Sequence, residues 1–104
     1  PAQMQTQTDI YLMMQNVESE STMRSLARQI RFQIPGLRVM THIGGGSLKS
    51  QLKKADKSGA DIGLIIGEDE LKTRSVVYKP LRGGDQETLP NEEVVKRLKL
   101  LRDM

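Results

Sequence analysis

The residues of this chain that are best suited to chemistry lie between Gly44 and Leu71, and their types suit the binding of an anion. A glycine turn, Gly44–Ser47, precedes a helical pattern that Ser47 is predicted to cap and along which Lys49, Lys53 and Lys57 recur. Backbone N–H groups at a helix start attract anions, and glycines let a partner approach the backbone closely. Four-residue spacing puts the lysines on one side of the helix, where they can neutralise several negative charges. The segment therefore predicts a surface for a polyanion.

An acidic cluster, Glu68–Glu70, follows the apolar run Ile62–Ile66 and is predicted to form a polar loop. Its carboxylates repel phosphates but can accept hydrogen bonds from the amino and ring N–H groups of an unpaired base. As general acids or bases they lack a nucleophile, a set of metal ligands and a nearby histidine. The chain has one histidine, His42, and no cysteine, which excludes a histidine-based zinc site, thiolate ligands and disulfides. We therefore expect no catalytic residue and no metal site.

The glycine turn, the lysines and the acidic cluster could also be an ordinary turn, a solvated helix face and a polar loop. The overall composition does not decide between this structural interpretation and a binding surface. The chain has 104 residues, 37% of them hydrophobic, and a formal net charge of +3. A mild positive charge favours nucleic acid only where the cations are clustered, as the lysines are here. No apolar run approaches the roughly 20 residues that cross a bilayer, so we expect no membrane partner and a cytoplasmic location. The start at Pro1, in a linker-like Gln/Thr-rich segment, suggests a piece of a longer polypeptide.

The apolar pattern predicts one α/β domain that begins with the order β-α-β-α-β and ends with a hairpin and a helix. Such an order implies parallel strands joined by right-handed crossovers, with ligands bound beyond the carboxyl ends of the strands. The glycine turn and the acidic cluster both follow strands, so we expect them at one edge of the sheet. Pro80 argues against a central position for its strand, and Asn91 is a predicted helix cap. The predicted strands are Asp9–Met14, Leu37–Thr41, Ile62–Ile66, Ser75–Leu81 and Gln86–Leu89.

Two long runs of the sequence carry a resemblance to a known family. They are PGLRVMTHIGGGSLKSQLKKADKSGADIGLIIGEDEL and VVYKPLRGGDQETLP, and the segments DIYLMM and RQIRFQI extend the match over nearly the whole chain. In these motifs the chain closely resembles the C-terminal anticodon-binding domain of bacterial histidyl-tRNA synthetase, a class II aminoacyl-tRNA synthetase. The resemblance implies a three-layer α/β/α fold with a five-stranded mixed sheet, order 2-1-3-4-5, in which strand four is antiparallel. Residues 9–104 would form this domain after a linker-like segment, residues 1–8.

The function implied by the resemblance is binding of the anticodon stem–loop of histidine tRNA. In the family a separate catalytic domain, itself a homodimer, ligates histidine to the tRNA with ATP and, we expect, Mg²⁺. The arginine-containing ATP motifs of that catalytic domain are absent here, so the chain alone is not expected to be an enzyme or to hold a cofactor. Two alternatives stay open: a free-standing paralogous RNA-binding or regulatory domain, and a flavodoxin-like small-molecule or signalling module.

The resemblance also implies individual contacts with RNA. Glu70 is the residue expected to recognise a base. Lys79 stands where related domains use an arginine, and a lysine lacks the fork of N–H donors that makes bidentate contacts. The motif positions give Gly45, Ser47, Lys53, Glu70 and Lys79, and the glycine turn and lysine helix add Gly46, Lys49 and Lys57.

Overall fold

A computed structural model describes residues 8–43 and 45–102, which form a five-stranded sheet with helices on both faces. Residues 1–7 of the predicted linker-like segment, and Gly44, lie outside the described residues. Thr8 is buried, and its N–H donates to the carbonyl of Ser58 (3.3 Å). The elements are β1 Ile10–Met14, a 3-10 turn Val17–Ser19, α1 Glu20–Gln33, β2 Val39–Thr41, α2 Leu48–Lys57, β3 Ile62–Ile66, α3 Glu68–Thr73, β4 Ser75–Pro80, β5 Glu87–Pro90 and α4 Asn91–Arg102.

The sheet has the strand order β2-β1-β3-β4-β5, which confirms the predicted topology. β1 lies between β2 and β3 and is parallel to both, with Leu12 opposite Thr41 and Leu64. β4 is antiparallel to β3 and to β5. None of the described helices is both long enough and apolar enough to cross a membrane.

The two faces of the sheet pack on different helices because successive strand residues point to opposite sides. One face packs on α1 and α4 and forms the larger core, which includes Leu12, Leu64, Val76, Ile30 and Val94. The other face packs on α2 and forms a smaller core, which includes Tyr11, Met13, Ile65 and Ala55. All five residues of β3 are buried, as its unbroken apolar run predicts for a strand covered on both faces.

The predictions for the position of β4 and for the cap of α4 are wrong. β4 is an internal strand although it ends at Pro80, because its ladder with β5 runs only from Ser75 to Tyr78 and the proline lies beyond it. Asn91 is the first residue of α4 and not a side-chain cap. Its buried Oδ1 accepts no hydrogen bond from the described residues, while its backbone N–H donates to the carbonyl of Arg74 (3.0 Å).

Candidate nucleic-acid interface

The loops that follow the three parallel strands meet at one edge of the sheet, which we call the carboxyl edge. It comprises the described residues of the ranges 14–16, 42–47 and 67–70, because β1, β2 and β3 end at Met14, Thr41 and Ile66. The backbone N–H of Gln15 donates to the carbonyl of Ile66 (2.9 Å), so the loop after β1 lies against the end of β3. The glycine turn and the acidic residues therefore share an edge, with the β1 loop between them.

The glycine turn has a backbone conformation that other residues rarely adopt. Gly45 and Gly46 have φ angles of 68° and 96°, in the left-handed region that glycine enters without a steric penalty. Ser47 then caps α2 as the sequence predicts, and its Oγ accepts from the backbone N–H of Ser50 (3.2 Å). The exposed turn thus leads directly into the first turn of the lysine-bearing helix.

A buried histidine holds the first of these glycines. His42 is only 4% exposed, and its Nε2 donates to the carbonyl of Gly45 (2.5 Å). Because a carbonyl oxygen only accepts, Nε2 carries a proton, and in that tautomer Nδ1 accepts from the hydroxyl of Tyr11 (2.8 Å). Burial raises the pKa of Tyr11 further above its ordinary value of 10.0, and its hydroxyl therefore carries the proton that it donates. His42 therefore has a structural position beneath the turn.

A buried glutamine, which the sequence interpretation missed, holds the second glycine. Gln51 is 1% exposed, and its Nε2 donates to the carbonyls of Gly46 (3.0 Å) and Met14 (2.8 Å). Its Oε1 accepts from the N–H of Met14 (3.1 Å). The spacing of Leu48, Leu52 and Ala55 is typical of the buried side of a helix, but both leucines are only half-buried.

The sequence contains one indication that Gln51 is buried. It lies three residues after Leu48 and four before Ala55, and therefore on the same side of the helix as both. His42 and Gln51 together occupy the carbonyls of both described glycines within the protein. The backbone N–H groups of Gly45, Gly46 and Ser47 donate no hydrogen bond to the described residues, so they can donate to acceptor oxygens such as those of a phosphate.

The lysine stripe, defined as Lys49, Lys53 and Lys57, is exposed along α2. Within the described part of the chain none of the three forms an ion pair, so their charges are available to a partner. The stripe spans about 12 Å, from 1.5 Å of rise per residue. It begins at the carboxyl edge and runs toward the opposite edge, because Ser58, which follows Lys57, bonds to Thr8 just before β1.

The acidic cluster forms the first turn of a helix, so the predicted loop is wrong. Glu68, Asp69 and Glu70 begin α3, where negative side chains interact favourably with the exposed N–H groups of the helix start. Glu70 is half-buried, and its Oε1 accepts from the backbone N–H of Gly67 (2.7 Å). The cluster was hard to recognise as helical because α3 has only six residues and one apolar side chain, Leu71. Glu70 thus has a capping role in addition to its predicted role in base recognition.

Lys79 lies away from the carboxyl edge. It pairs with Gly63 near the start of β3, which places it on the sheet face that packs on α2. The lysine is half-buried in this position. The structure therefore brings together Gly45, Gly46, Ser47, Lys49 and Glu70 at one edge, and leaves Lys53, Lys57 and Lys79 on the α2 side of the sheet.

Three arginines on α1, to which the sequence interpretation gave no role, lie along a groove that opens onto the carboxyl edge. Arg24, Arg28 and Arg31 line this groove of about 630 Å³, which extends to His42, Ile43 and Gly45, while Arg31 itself lies beside Val39 at the start of β2. Spacings of four and three residues put them on one side of the helix, which is the signal that could have identified them.

Comparison with known proteins agrees with this architecture. A family model described as an anticodon binding domain matches residues 9–101. The histidyl-tRNA synthetase from Nostoc sp. PCC 7120 is 26% identical, with a TM-score of 0.82 over 90% of this chain and 22% of that one. Two less identical structures support the fold alone. The apo histidyl-tRNA synthetase of S. aureus is 21% identical, with a TM-score of 0.78 over 93% of this chain and 28% of that one. The RNA binding domain of threonyl-tRNA synthetase from Cryptosporidium parvum Iowa II is 14% identical, with a TM-score of 0.81 over 88% of this chain and 23% of that one.

This chain spans between 22% and 28% of the length of those synthetase structures. The family model, in contrast, covers nearly all of the chain. The observed strand order is also the one implied by the resemblance of the sequence to an anticodon-binding domain. The chain therefore belongs to the family of anticodon-binding domains of class II tRNA synthetases.

Proposed function

We propose that this domain binds the anticodon stem–loop of histidine tRNA as part of a histidyl-tRNA synthetase. The observation that carries the proposal is the exposed lysine stripe, which has no ion-pair partner among the described residues and starts at a glycine turn whose carbonyls are occupied inside the protein. Phosphate contacts by such lysines supply the largest electrostatic contribution to nucleic-acid binding. The resemblance in sequence and the 26% identity to the Nostoc enzyme support histidine as the cognate amino acid.

The candidate residues have different roles in this proposal. Gly45, Gly46 and Ser47 allow close approach and offer N–H donors, while Lys49, Lys53 and Lys57 neutralise phosphates. Glu70 accepts a hydrogen bond from the edge of an unpaired base. Lys79 adds a cation on the α2 side of the sheet.

The chemical step of the parent enzyme belongs to a separate catalytic domain in this proposal. That domain, expected to be a homodimer, would use ATP and Mg²⁺ to ligate histidine to the distant acceptor end of the tRNA. The contribution of this chain is to hold the anticodon end, which requires no cofactor of its own. We propose the cytoplasm as the location of the enzyme.

The test measures the affinity of the chain for histidine tRNA and for an unrelated tRNA over a range of salt concentrations. Lys53→Ala should weaken binding to both RNAs by about threefold and lower the salt slope by about 0.7–0.9, because one phosphate contact is lost. Lys96→Ala is the matched control, since it removes the same charge from an exposed position on α4, on the other side of the sheet from α2.

Retained affinity and an unchanged salt slope in Lys53→Ala would reject α2 as the RNA-binding helix. Equal losses in Lys53→Ala and Lys96→Ala would show that only net charge matters, which contradicts a located interface. Equal affinity of the wild-type chain for both tRNAs would contradict histidine specificity within this domain.

A further inference from the structure

The groove beside α1 differs in chemistry from the lysine stripe on the other side of the sheet. It runs along α1, opens onto the carboxyl edge beside the residues that follow β2, and has a volume of about 630 Å³. Its lining combines three arginines with apolar side chains, and it includes Gly45 of the glycine turn. The groove is therefore continuous with the proposed RNA surface.

The three arginines are not equally available to a ligand. Arg24 forms an ion pair with Glu20 (2.6 Å), and Arg31 donates to the backbone carbonyl of Val39 (2.9 Å). Arg28, which lies between them on the same side of α1, makes no hydrogen bond or ion pair with the described residues. Arg31 keeps its charge because a carbonyl does not neutralise it. The groove thus offers one unengaged guanidinium and a second, uncompensated positive charge beside it.

Exposed apolar side chains line the same groove. Val17 and Ile43 are 76% and 82% exposed, and they belong to the few large apolar residues that the described chain leaves in solvent. Met14, Met23 and Ala27 also line the groove and are half-buried or buried. Exposed apolar surface marks interaction sites, and the planar guanidinium of an arginine can stack on an unpaired base.

We propose that this groove binds an unpaired nucleotide of the RNA that docks on the glycine turn. The base packs against Ile43 and Val17, and its phosphate contacts Arg28. Positive charge excludes a cationic peptide, and a planar base fits both the apolar walls and the faces of the guanidinium groups. This inference rests on the proposed function and adds that the RNA strand crosses the carboxyl edge from α2 to α1.

The experiment compares a stem–loop RNA that has an unpaired anticodon loop with a fully paired RNA of the same length. Arg28→Ala should weaken binding of the stem–loop by about tenfold and lower its salt slope by about 0.7, while binding of the paired RNA stays unchanged. Ile43→Ser should weaken stem–loop binding by about fivefold without changing the slope, because no charge is lost. Both side chains are exposed, so neither substitution should unfold the domain.

Lys53→Ala and Lys96→Ala serve as the reference variants. If Arg28→Ala behaves like Lys96→Ala while Lys53→Ala loses affinity, RNA docks on α2. The groove proposal is then overturned and the proposed function stands. Equal losses for stem–loop and paired RNA in Arg28→Ala also overturn it, since the groove would then contact only phosphates. Wild-type affinity in both Lys53→Ala and Arg28→Ala rejects the proposed function itself.

Discussion

At the scale of single residues, the two described glycines of the turn differ in how much a side chain would disturb them. A Cβ at Gly45 would meet no atom within 4 Å, whereas one at Gly46 would lie 2.8 Å from Oγ of Ser50. The φ angle of Gly46 is also further from the small left-handed region that other residues can occupy. The two positions therefore form a matched pair for testing the turn.

We predict that Gly46→Ala destabilises the domain by about 2 kcal/mol and Gly45→Ala by about 1 kcal/mol. Urea unfolding of the two variants and the wild type measures both differences. The larger cost at Gly46 arises from backbone strain together with the contact to Ser50. An equal or smaller cost at Gly46 would show that the turn relaxes into another conformation.

Glu70 has two roles that one pair of substitutions can separate. Glu70→Ala removes the acceptor for the N–H of Gly67 and should lower stability by about 1 kcal/mol, as the loss of a helix cap does. Glu70→Gln keeps an acceptor oxygen and should leave stability nearly unchanged. Both variants remove the carboxylate, so both should change the preference between histidine tRNA and an unrelated tRNA by about tenfold.

Unfolding by urea measures the capping effect, and competitive tRNA binding measures the preference. Loss of preference only in Glu70→Ala would assign the effect to the cap and not to base recognition. An unchanged preference in both variants would exclude Glu70 from contact with a base.

At the scale of elements, an ion pair joins β5 to α4. The guanidinium of Arg97 donates to Glu87 (2.7 Å) and lies 5.4 Å from the ring centroid of Tyr78 on β4. The hydrogen bond from Arg97 lowers the pKa of Glu87 from its ordinary value of 4.5. Because the pair is exposed to solvent, its contribution to stability is expected to be small.

A carboxylate whose pKa is lower in the folded state stabilises the fold above its unfolded pKa, and the effect disappears as the pH falls through the folded value. Glu87→Gln should therefore be less stable than the wild type at neutral pH. The difference should shrink as the pH decreases below about 4.5. Urea midpoints at a series of pH values test this, with Asp85→Asn in the neighbouring turn as the control. A pH-independent difference would mean that packing, and not charge, links β5 to α4.

The element scale also shows where local patterns mislead. β3 and the start of α2 follow from an unbroken apolar run and from a serine after glycines, and both are confirmed. The helix that contains Glu68–Glu70 was missed because six residues are too few to show an apolar period. Pro80 argues against an internal position for β4, because proline has no N–H to donate to a neighbouring strand. The ladder between β4 and β5 ends at Tyr78, however, so the proline costs no hydrogen bond to β5.

At the scale of the whole molecule, the strand order determines which candidate residues can meet the same partner. β1 lies between β2 and β3, so the β1 loop separates the glycine turn from Glu70, and the groove beside α1 opens onto the same edge. The antiparallel direction of β4 carries Lys79 away from that edge. A partner that contacts the whole candidate set must therefore extend from the carboxyl edge along the α2 side of the sheet, as a nucleic acid can.

The sequence by itself determined the order of the elements, the helix start at Ser47, the lysine stripe and the membership of a family. These properties depend on short-range spacing and on contiguous motifs, which are visible along the chain. Only the tertiary structure decided that His42 and Gln51 bind the glycine carbonyls, and that the arginines of α1 line a groove that opens onto the same edge. The contacts that position these two side chains join residues far apart in sequence, Tyr11 with His42 at a separation of 31 and Met14 with Gln51 at 37, and no local period records them.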